Sequence, residues 1–296
     1  MKKLIKISLL SLLSLLIFII ISPLRGGYID IGGITGFMLS SITGFIVYFV
    51  FTYFISSKYD GIVKPLWVLI AIFLGASIIP LFFHIRYWES TLISLPDYCI
   101  HLLGILLGFT CFKLNKVHFK VLLGIVSLSV AFWLSIPGYD MWLNKLNYGT
   151  FTGKVESTVL YPLIFQNPDG DTLNLEMYKG KYLILDCWYT YCGVCYKKFP
   201  KVQELYDKYK GSEHVALYSM HSRMADKKED FKTGTNILKE EGYIFPSFSI
   251  DINDPILKEL KVDAYPTVLI FDKDSQLIFR GSIEFAEKLI EKLVNE

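Results

Sequence analysis

The segment Tyr182–Cys195, YLILDCWYTYCGVC, decides the fold of the C-terminal half of this chain. Its first six residues form a short, mostly apolar run, which is typical of a buried β-strand. From Val194 onward, apolar residues recur with the period of a helix. The thiols of Cys192 and Cys195 are therefore predicted to lie where a strand ends and a helix begins.

Two cysteines separated by two residues are the arrangement of a dithiol/disulfide redox centre. At a helix N-terminus, unpaired N–H groups and the helix dipole favour the thiolate of Cys192, which is the species that attacks disulfides.

Two other roles for this cysteine pair, a zinc site and a structural disulfide, are less well supported. A zinc site needs two further ligands, and the remaining cysteines and histidines have unsuitable surroundings or spacing. A structural disulfide across so short a spacer would constrain little of the unfolded chain. We therefore expect the cysteine pair itself to be the redox group, with no cofactor and no metal.

The composition divides the chain into two halves. Of 296 residues, 52% are hydrophobic and 16% aromatic, which is more apolar than an ordinary soluble protein of this length. The excess lies in the first half, where each of five apolar segments approaches the length that crosses a bilayer of about 30 Å. The segments are 7–22, 34–55, 66–83, 98–112 and 121–136. The first could be a signal peptide, but no small-x-small cleavage site follows it, and a retained anchor is favoured.

The cations predict the orientation of these segments. With the N-terminus in the cytoplasm, two arginines, Arg25 and Arg86, lie at outer loops before the last span. The inner positions hold Lys2, Lys3, Lys6, Lys58, Lys64, Lys113, Lys116 and Lys120. Because positive residues accumulate on the cytoplasmic side, five crossings put everything after about residue 137 outside the cytoplasm. The net charge of +2 gives no indication of nucleic-acid binding.

We therefore divide the chain into a transmembrane domain (1–137), a juxtamembrane linker (138–153) and a soluble domain (154–296). In the linker, Trp142 and Tyr148 are candidate interfacial anchors. In the soluble domain, short strands alternate with helices, as in an α/β layer fold. Besides the segment quoted first, strands are predicted at 159–165, 172–175, 214–220, 248–251, 268–272 and 277–280, and helices at 227–241, 254–260 and 285–294.

Several motifs in residues 158–296 resemble the thioredoxin superfamily, and within it the TlpA/ResA-like, membrane-anchored thiol-disulfide oxidoreductases. They include Trp188 four residues before Cys192, Pro200 five residues after Cys195, and Ala264–Thr267 (AYPT) before a predicted strand. The resemblance implies an α/β thioredoxin fold for this domain, so that the whole chain is a helical transmembrane bundle of about five spans, predicted from the apolar segments, followed by a thioredoxin-fold domain. It does not extend to the membrane half.

The resemblance also implies roles for individual residues. Cys192 and Cys195 would form the redox disulfide, and Pro266 would be a cis proline beside it, exposing the backbone of Tyr265 to an extended substrate segment. Asp186 stands where plain thioredoxins carry a buried acid, and as a buried carboxylate it should have a raised pKa. We expect it to take the proton of Cys195. Further candidate substrate contacts are Trp188, Tyr191, Gly193 and Val194.

The function that follows is a thiol-disulfide oxidoreductase of the bacterial plasma membrane that reduces disulfides in extracytoplasmic proteins. Cys192 attacks and Cys195 resolves the mixed disulfide. A separate transmembrane electron donor, similar to DsbD or CcdA, is implied by the resemblance. Two alternatives stay open: a dedicated apocytochrome c thiol reductase, and a membrane transport or assembly component whose thioredoxin-like domain mainly binds a partner.

Overall fold

The structure is a computed structural model that describes residues 2–156 and 161–295. The chain forms two compact units, Met1–Leu143 and Asn144–Glu296. The predicted order of fold classes is confirmed: a bundle of apolar helices comes first, and a mixed α/β domain follows.

The first unit is built from long helices. Between the first and second of them lies a short hairpin of β1 (Asp30–Ile31) and β2 (Ile34–Thr35). The helices are α1 (Lys2–Ile21), α2 (Gly36–Lys58), α3 (Pro65–Arg86), the short α4 (Trp88–Thr91), α5 (Leu95–Lys113) and α6 (Val117–Ser135), and α7 (Pro137–Tyr148) continues into the second unit. Within the described residues, five helical stretches are long and apolar enough to cross a membrane.

Small residues allow α2 and α5 to pack closely. A side chain added at Gly104 would lie 2.6 Å from the carbonyl oxygen of Phe45, and one added at Gly108 would lie 2.3 Å from that of Phe49. Both distances are far below van der Waals contact. The spacing of four residues repeats the small residue on one helix face, which is a common way for apolar helices to approach each other.

Asp97 is fully buried in this unit and is paired. One of its oxygens accepts hydrogen bonds from Nε and Nη2 of Arg25 at 2.9 and 2.5 Å. The other lies 3.3 Å from Nε2 of His101 and 3.2 Å from the hydroxyl of Ser41. Paired and hydrogen-bonded in this way, the carboxylate avoids the cost of an isolated buried charge.

The second unit contains a seven-stranded sheet in the order β4-β3-β7-β6-β5-β8-β9. The central strands β5, β6 and β7 are parallel to one another, and the remaining pairs are antiparallel. The strands are β3 (Ile164–Gln166), β4 (Thr172–Asn174), β5 (Tyr182–Trp188), β6 (Val215–Arg223), β7 (Ser247–Asp251), β8 (Thr267–Phe271) and β9 (Leu277–Gly281). The first predicted strand, 159–165, begins outside the described residues.

Helices cover both faces of this sheet. They are α8 (Gly193–Tyr209), α9 (Thr233–Glu240), α10 (Pro255–Glu259) and α11 (Ile283–Asn295). Side chains of α8, α9 and α11 share one buried cluster with Ile184 and Trp188, whereas α10 packs on the opposite cluster with Leu183 and Leu185. The alternation along β5 follows from the two-residue period of a strand. The sheet is therefore buried on both sides at its centre.

The predicted helix over 227–241 is wrong in its first half. After a short turn ending at Lys227, the chain takes a left-handed conformation at Lys228, with φ of 61°, which stops a helix. The carboxylate of Asp230 then accepts hydrogen bonds from the N–H of Lys232 and the hydroxyl of Thr233. Such local bonds compete with helix formation, so α9 begins only at Thr233.

Candidate active site

The two predicted cysteines form a disulfide at the start of α8. The sulfur atoms of Cys192 and Cys195 are 1.99 Å apart. Cys192 is the N-cap residue, and its Sγ accepts a hydrogen bond from the N–H of Cys195 at 3.1 Å. A backbone donor aimed at this sulfur, together with the positive end of the helix dipole, stabilises negative charge on Cys192 when the disulfide is reduced.

The two cysteines differ in exposure to solvent. Cys192 is 6% exposed, whereas Cys195 is fully buried. Tyr191, Gly193 and Val194 around them are exposed, and the side chains of Tyr191 and Val194 are 62% and 56% accessible. An incoming disulfide can therefore reach Cys192 first, and apolar surface is available beside it for a polypeptide.

Trp188 is fully buried beneath the dithiol. Its ring packs edge-on against Phe199 of α8, with centroids 5.0 Å apart, and lies 4.7 Å from the ring of His221. The structure thus makes Trp188 a support for the first turns of α8. Its burial argues against direct contact with a substrate in this conformation.

The predicted proline lies beside the dithiol strand. The Tyr265–Pro266 peptide bond is cis. It precedes Thr267, which is paired with Cys187 in the antiparallel register of β5 and β8. The ring of Tyr265 also packs edge-on against Tyr189, with centroids 5.1 Å apart. These contacts bring the Tyr265–Pro266 loop next to the end of β5, from which the chain leads directly to Cys192.

Asp186 is buried on the face of the sheet that carries the dithiol. It alternates along β5 with the residues of the opposite face, and its neighbours at 184 and 188 share a cluster with Cys192 and Cys195. Asp186 is 2% exposed, and its Oδ1 has no hydrogen-bond partner among the described residues. Burial, and then the nearby charge of Glu284, raises the pKa of Asp186 to about 8. A carboxyl group with this pKa can gain or lose a proton near neutral pH.

Cys187 lies on the other side of the same strand. It is fully buried in the opposite cluster, and burial followed by the charge of Asp186 raises its pKa well above the ordinary value. A thiol of this kind stays protonated and unreactive. Among the described residues, no three His, Cys, Asp or Glu side chains come together as a group that could hold a metal ion.

His221 is a buried residue of the site that the sequence did not reveal. Its Nε2 lies 3.0 Å from the hydroxyl of Thr190, two residues before Cys192. Burial lowers its pKa to about 4, so the ring is neutral at neutral pH. The residue becomes part of the site because β5 pairs with β6, which sets His221 opposite Trp188. We assign His221 a structural part in holding the segment before Cys192.

Replacing Thr190 with Val is expected to lower the free energy of unfolding by about 1–2 kcal/mol, because the buried Nε2 of His221 loses its hydrogen-bond partner. Urea unfolding of the full chain in detergent measures the change. Thr172→Val removes an exposed hydroxyl in β4 and is the matched control. Equal stability of the two variants would contradict this role of Thr190.

Comparisons with known proteins find relatives of this chain. The sequence model of the Redoxin family matches residues 154–292. The thiol-disulfide oxidoreductase ResA of Bacillus cereus is 32% identical over 169 residues, which cover 56% of this chain and 87% of the relative. The protein of the same name from Bacillus thuringiensis subsp. konkukian is 29% identical over 168 residues, with the same coverage.

A solved structure is also similar. The thioredoxin domain of a thiol-disulfide oxidoreductase from Bacteroides vulgatus matches with a TM-score of 0.40 and 16% identity, covering 47% of this chain and 99% of that one.

Proposed function

Because the chain belongs to the TlpA/ResA-like thiol-disulfide oxidoreductases of the thioredoxin superfamily, we propose that it acts in the bacterial plasma membrane and reduces disulfides of proteins outside the cytoplasm. The observation that carries the proposal is the asymmetry of the dithiol. Cys192 is reachable at a helix N-terminus, and Cys195 is buried behind it.

The proposed reaction transfers two electrons and two protons from the dithiol to the substrate. The thiolate of Cys192 attacks one sulfur of the substrate disulfide, a mixed disulfide forms, and the first substrate thiolate leaves and is protonated. Asp186 then accepts the proton of Cys195. The resulting thiolate attacks the sulfur of Cys192 and the Cys192–Cys195 disulfide forms. The second substrate thiolate leaves and is protonated, and Asp186 gives up its proton again.

The substrate segment is proposed to lie across the exposed side chains of Tyr191 and Val194, with Gly193 leaving room for its backbone. The main chain at Tyr265, next to the cis Pro266, offers strand-like hydrogen bonds. Because main-chain bonds do not depend on side chains, such a surface accepts many unfolded or extended proteins.

The membrane location rests on the five apolar helices and on the distribution of cations. Many apolar side chains on these helices are exposed in the first unit, such as Leu66, Phe82 and Ile125, which are 62%, 61% and 61% accessible. Lipid is the solvent that suits such a surface. A domain that reduces disulfides outside the cytoplasm must be re-reduced, so we propose a separate transmembrane electron donor as its partner.

Labelling of intact cells tests the sidedness. In the Cys195→Ser variant, Cys192 is expected to react with a maleimide that cannot cross the membrane, because the second unit lies outside. Cys99, an exposed free cysteine, is replaced by Ser so that it does not react with the maleimide. The control is Lys116→Cys in a Cys192→Ser background, since residue 116 is predicted to face the cytoplasm and should react only after permeabilisation. Reaction of Cys192 only in permeabilised cells would refute the proposed orientation.

A further inference from the structure

In the second unit, the segment that follows α7 is part of the sheet edge. The N–H of Arg280 donates to the carbonyl of Gly153 at 2.8 Å, and the N–H of Val155 donates to that of Ile278 at 2.9 Å. Residues 153–155 therefore run along β9 as an added edge strand. Within the second unit, this pairing fixes where the preceding residues lie.

Tyr148, just before this edge strand, is fixed at two points. Its carbonyl oxygen accepts hydrogen bonds from Nε and Nη2 of Arg280 at 3.2 and 3.0 Å. Arg280 is only 7% exposed, and its Nη1 also donates to the carbonyl of Leu260 at 3.2 Å. The hydroxyl of Tyr148 donates to the carbonyl of Pro266 at 2.7 Å. The main chain of Tyr148 is thus clamped to β9, while its side chain reaches the cis-proline loop.

The carbonyl of Pro266 lies directly before the first paired residue of β8. Pairing of β8 with β5 begins only at the next residue, Thr267, opposite Cys187. On the other side of the loop, the hydroxyl of Tyr265 donates to Ser222 at 2.9 Å. The loop is therefore held by two tyrosine hydroxyls, one from within it and one from the last residue of α7. Its conformation decides whether the main chain at Tyr265 can pair with a substrate.

We infer that Tyr148 is a positioning residue for disulfide exchange, whose hydroxyl holds the Tyr265–Pro266 loop in the conformation that receives an extended protein substrate. This inference rests on the proposed function. Protein substrates need the loop, because their backbone pairs with it. A small disulfide needs only access to Cys192. The hydrogen bond of Tyr148 therefore increases the preference of the protein for protein disulfides over small disulfides.

The test compares Tyr148→Phe with the wild-type full chain in detergent, pre-reduced, on two substrates. Insulin serves as the protein disulfide and 5,5′-dithiobis(2-nitrobenzoate) as the small one. The ratio of kcat/KM for insulin to kcat/KM for the small disulfide is expected to fall about fivefold, which is the factor that one neutral hydrogen bond contributes. The fall should come mainly from a higher KM for insulin. Tyr206→Phe, three turns along α8 from Cys195, is the matched control and should leave the ratio unchanged.

Hydrogen exchange gives a second readout that does not depend on turnover. Peptides covering 262–267 are expected to exchange faster in Tyr148→Phe than in wild type, with no change in peptides from β5. An unchanged ratio together with unchanged exchange overturns the inference, as does global unfolding of the variant. If the wild type fails to reduce insulin, the proposed function fails, and the exchange measurement alone decides whether Tyr148 holds the loop.

Discussion

Replacing Cys192 with Ser is expected to lower the rate of disulfide exchange at least about a thousandfold. A serine hydroxyl does not ionise near neutral pH, and without a thiolate no mixed disulfide can form. The N–H of Cys195 and the helix dipole would still be present but would have no charge to stabilise. Single-turnover reduction of insulin by the pre-reduced full chain measures the loss.

Cys195→Ser should behave differently. Cys192 remains 6% exposed and can still attack, but nothing resolves the product, so a mixed disulfide accumulates and is visible as a band of higher mass on a non-reducing gel. Mass spectrometry of that band from cells names the substrates. Cys99→Ser, an exposed cysteine of the first unit, is the control and should leave exchange intact.

The two variants also separate the proposed enzyme from a binding scaffold. A scaffold keeps its cellular effect in the Cys192→Ser variant, whereas an oxidoreductase loses it. Near-wild-type exchange by Cys192→Ser, or no adduct with Cys195→Ser, would contradict the roles that the geometry gives to the two thiols. Identification of apocytochrome c in the adduct would select the more specialised of the reductase alternatives.

Sequence patterns could predict the parts of the site that depend on neighbours along the chain. The strand before Cys192 and the helix after it are encoded within a few residues. The cis bond at Pro266 was predictable from family resemblance alone, since a lone proline before a strand is usually trans. Five apolar helices followed from length and hydropathy.

Long-range partners could not be predicted, because periodicity gives the face of an element and not what lies against it. The hydrogen bond between Tyr148 and Pro266 joins residues 118 positions apart, and that between Arg25 and Asp97 joins residues 72 apart. Tyr148 was predicted as an interfacial anchor from its aromatic character. Its hydroxyl has a partner within the second unit, Pro266, which only the return of the chain along β9 reveals.

Asp186 makes the stability of the fold depend on pH, and its position in the sequence already indicates this. A carboxyl group within an apolar strand had to be buried, and the structure gives it a pKa of about 8, raised by burial and then by Glu284. The unfolded chain has the ordinary value of 3.8. Between these two pH values the folded protein holds a proton that the unfolded chain has lost. Stability therefore falls as pH rises from about 4 to about 8, and Asp186 destabilises the fold most above pH 8.

Asp186→Asn is accordingly expected to stabilise the protein more at pH 8 than at pH 5, with a difference of up to about 4 kcal/mol in the free energy of unfolding. Urea unfolding of the oxidised full chain at the two pH values measures it. Asp226→Asn removes a carboxylate that is 75% exposed and should leave the pH dependence unchanged. A parallel pH dependence of wild type and Asp186→Asn would show that Asp186 is ionised at neutral pH in the fold.

The same substitution should slow the second half of the reaction. In the wild type, the fraction of Asp186 that is ionised, and hence able to accept the proton of Cys195, rises through about pH 8. The decay of a pre-formed mixed disulfide on Cys192 should therefore accelerate over that range. In Asp186→Asn the decay should be at least about tenfold slower, as for the loss of a general base. Because the substitution stabilises the fold while slowing this step, a slower decay cannot be attributed to unfolding, and an unchanged decay would remove Asp186 from the mechanism.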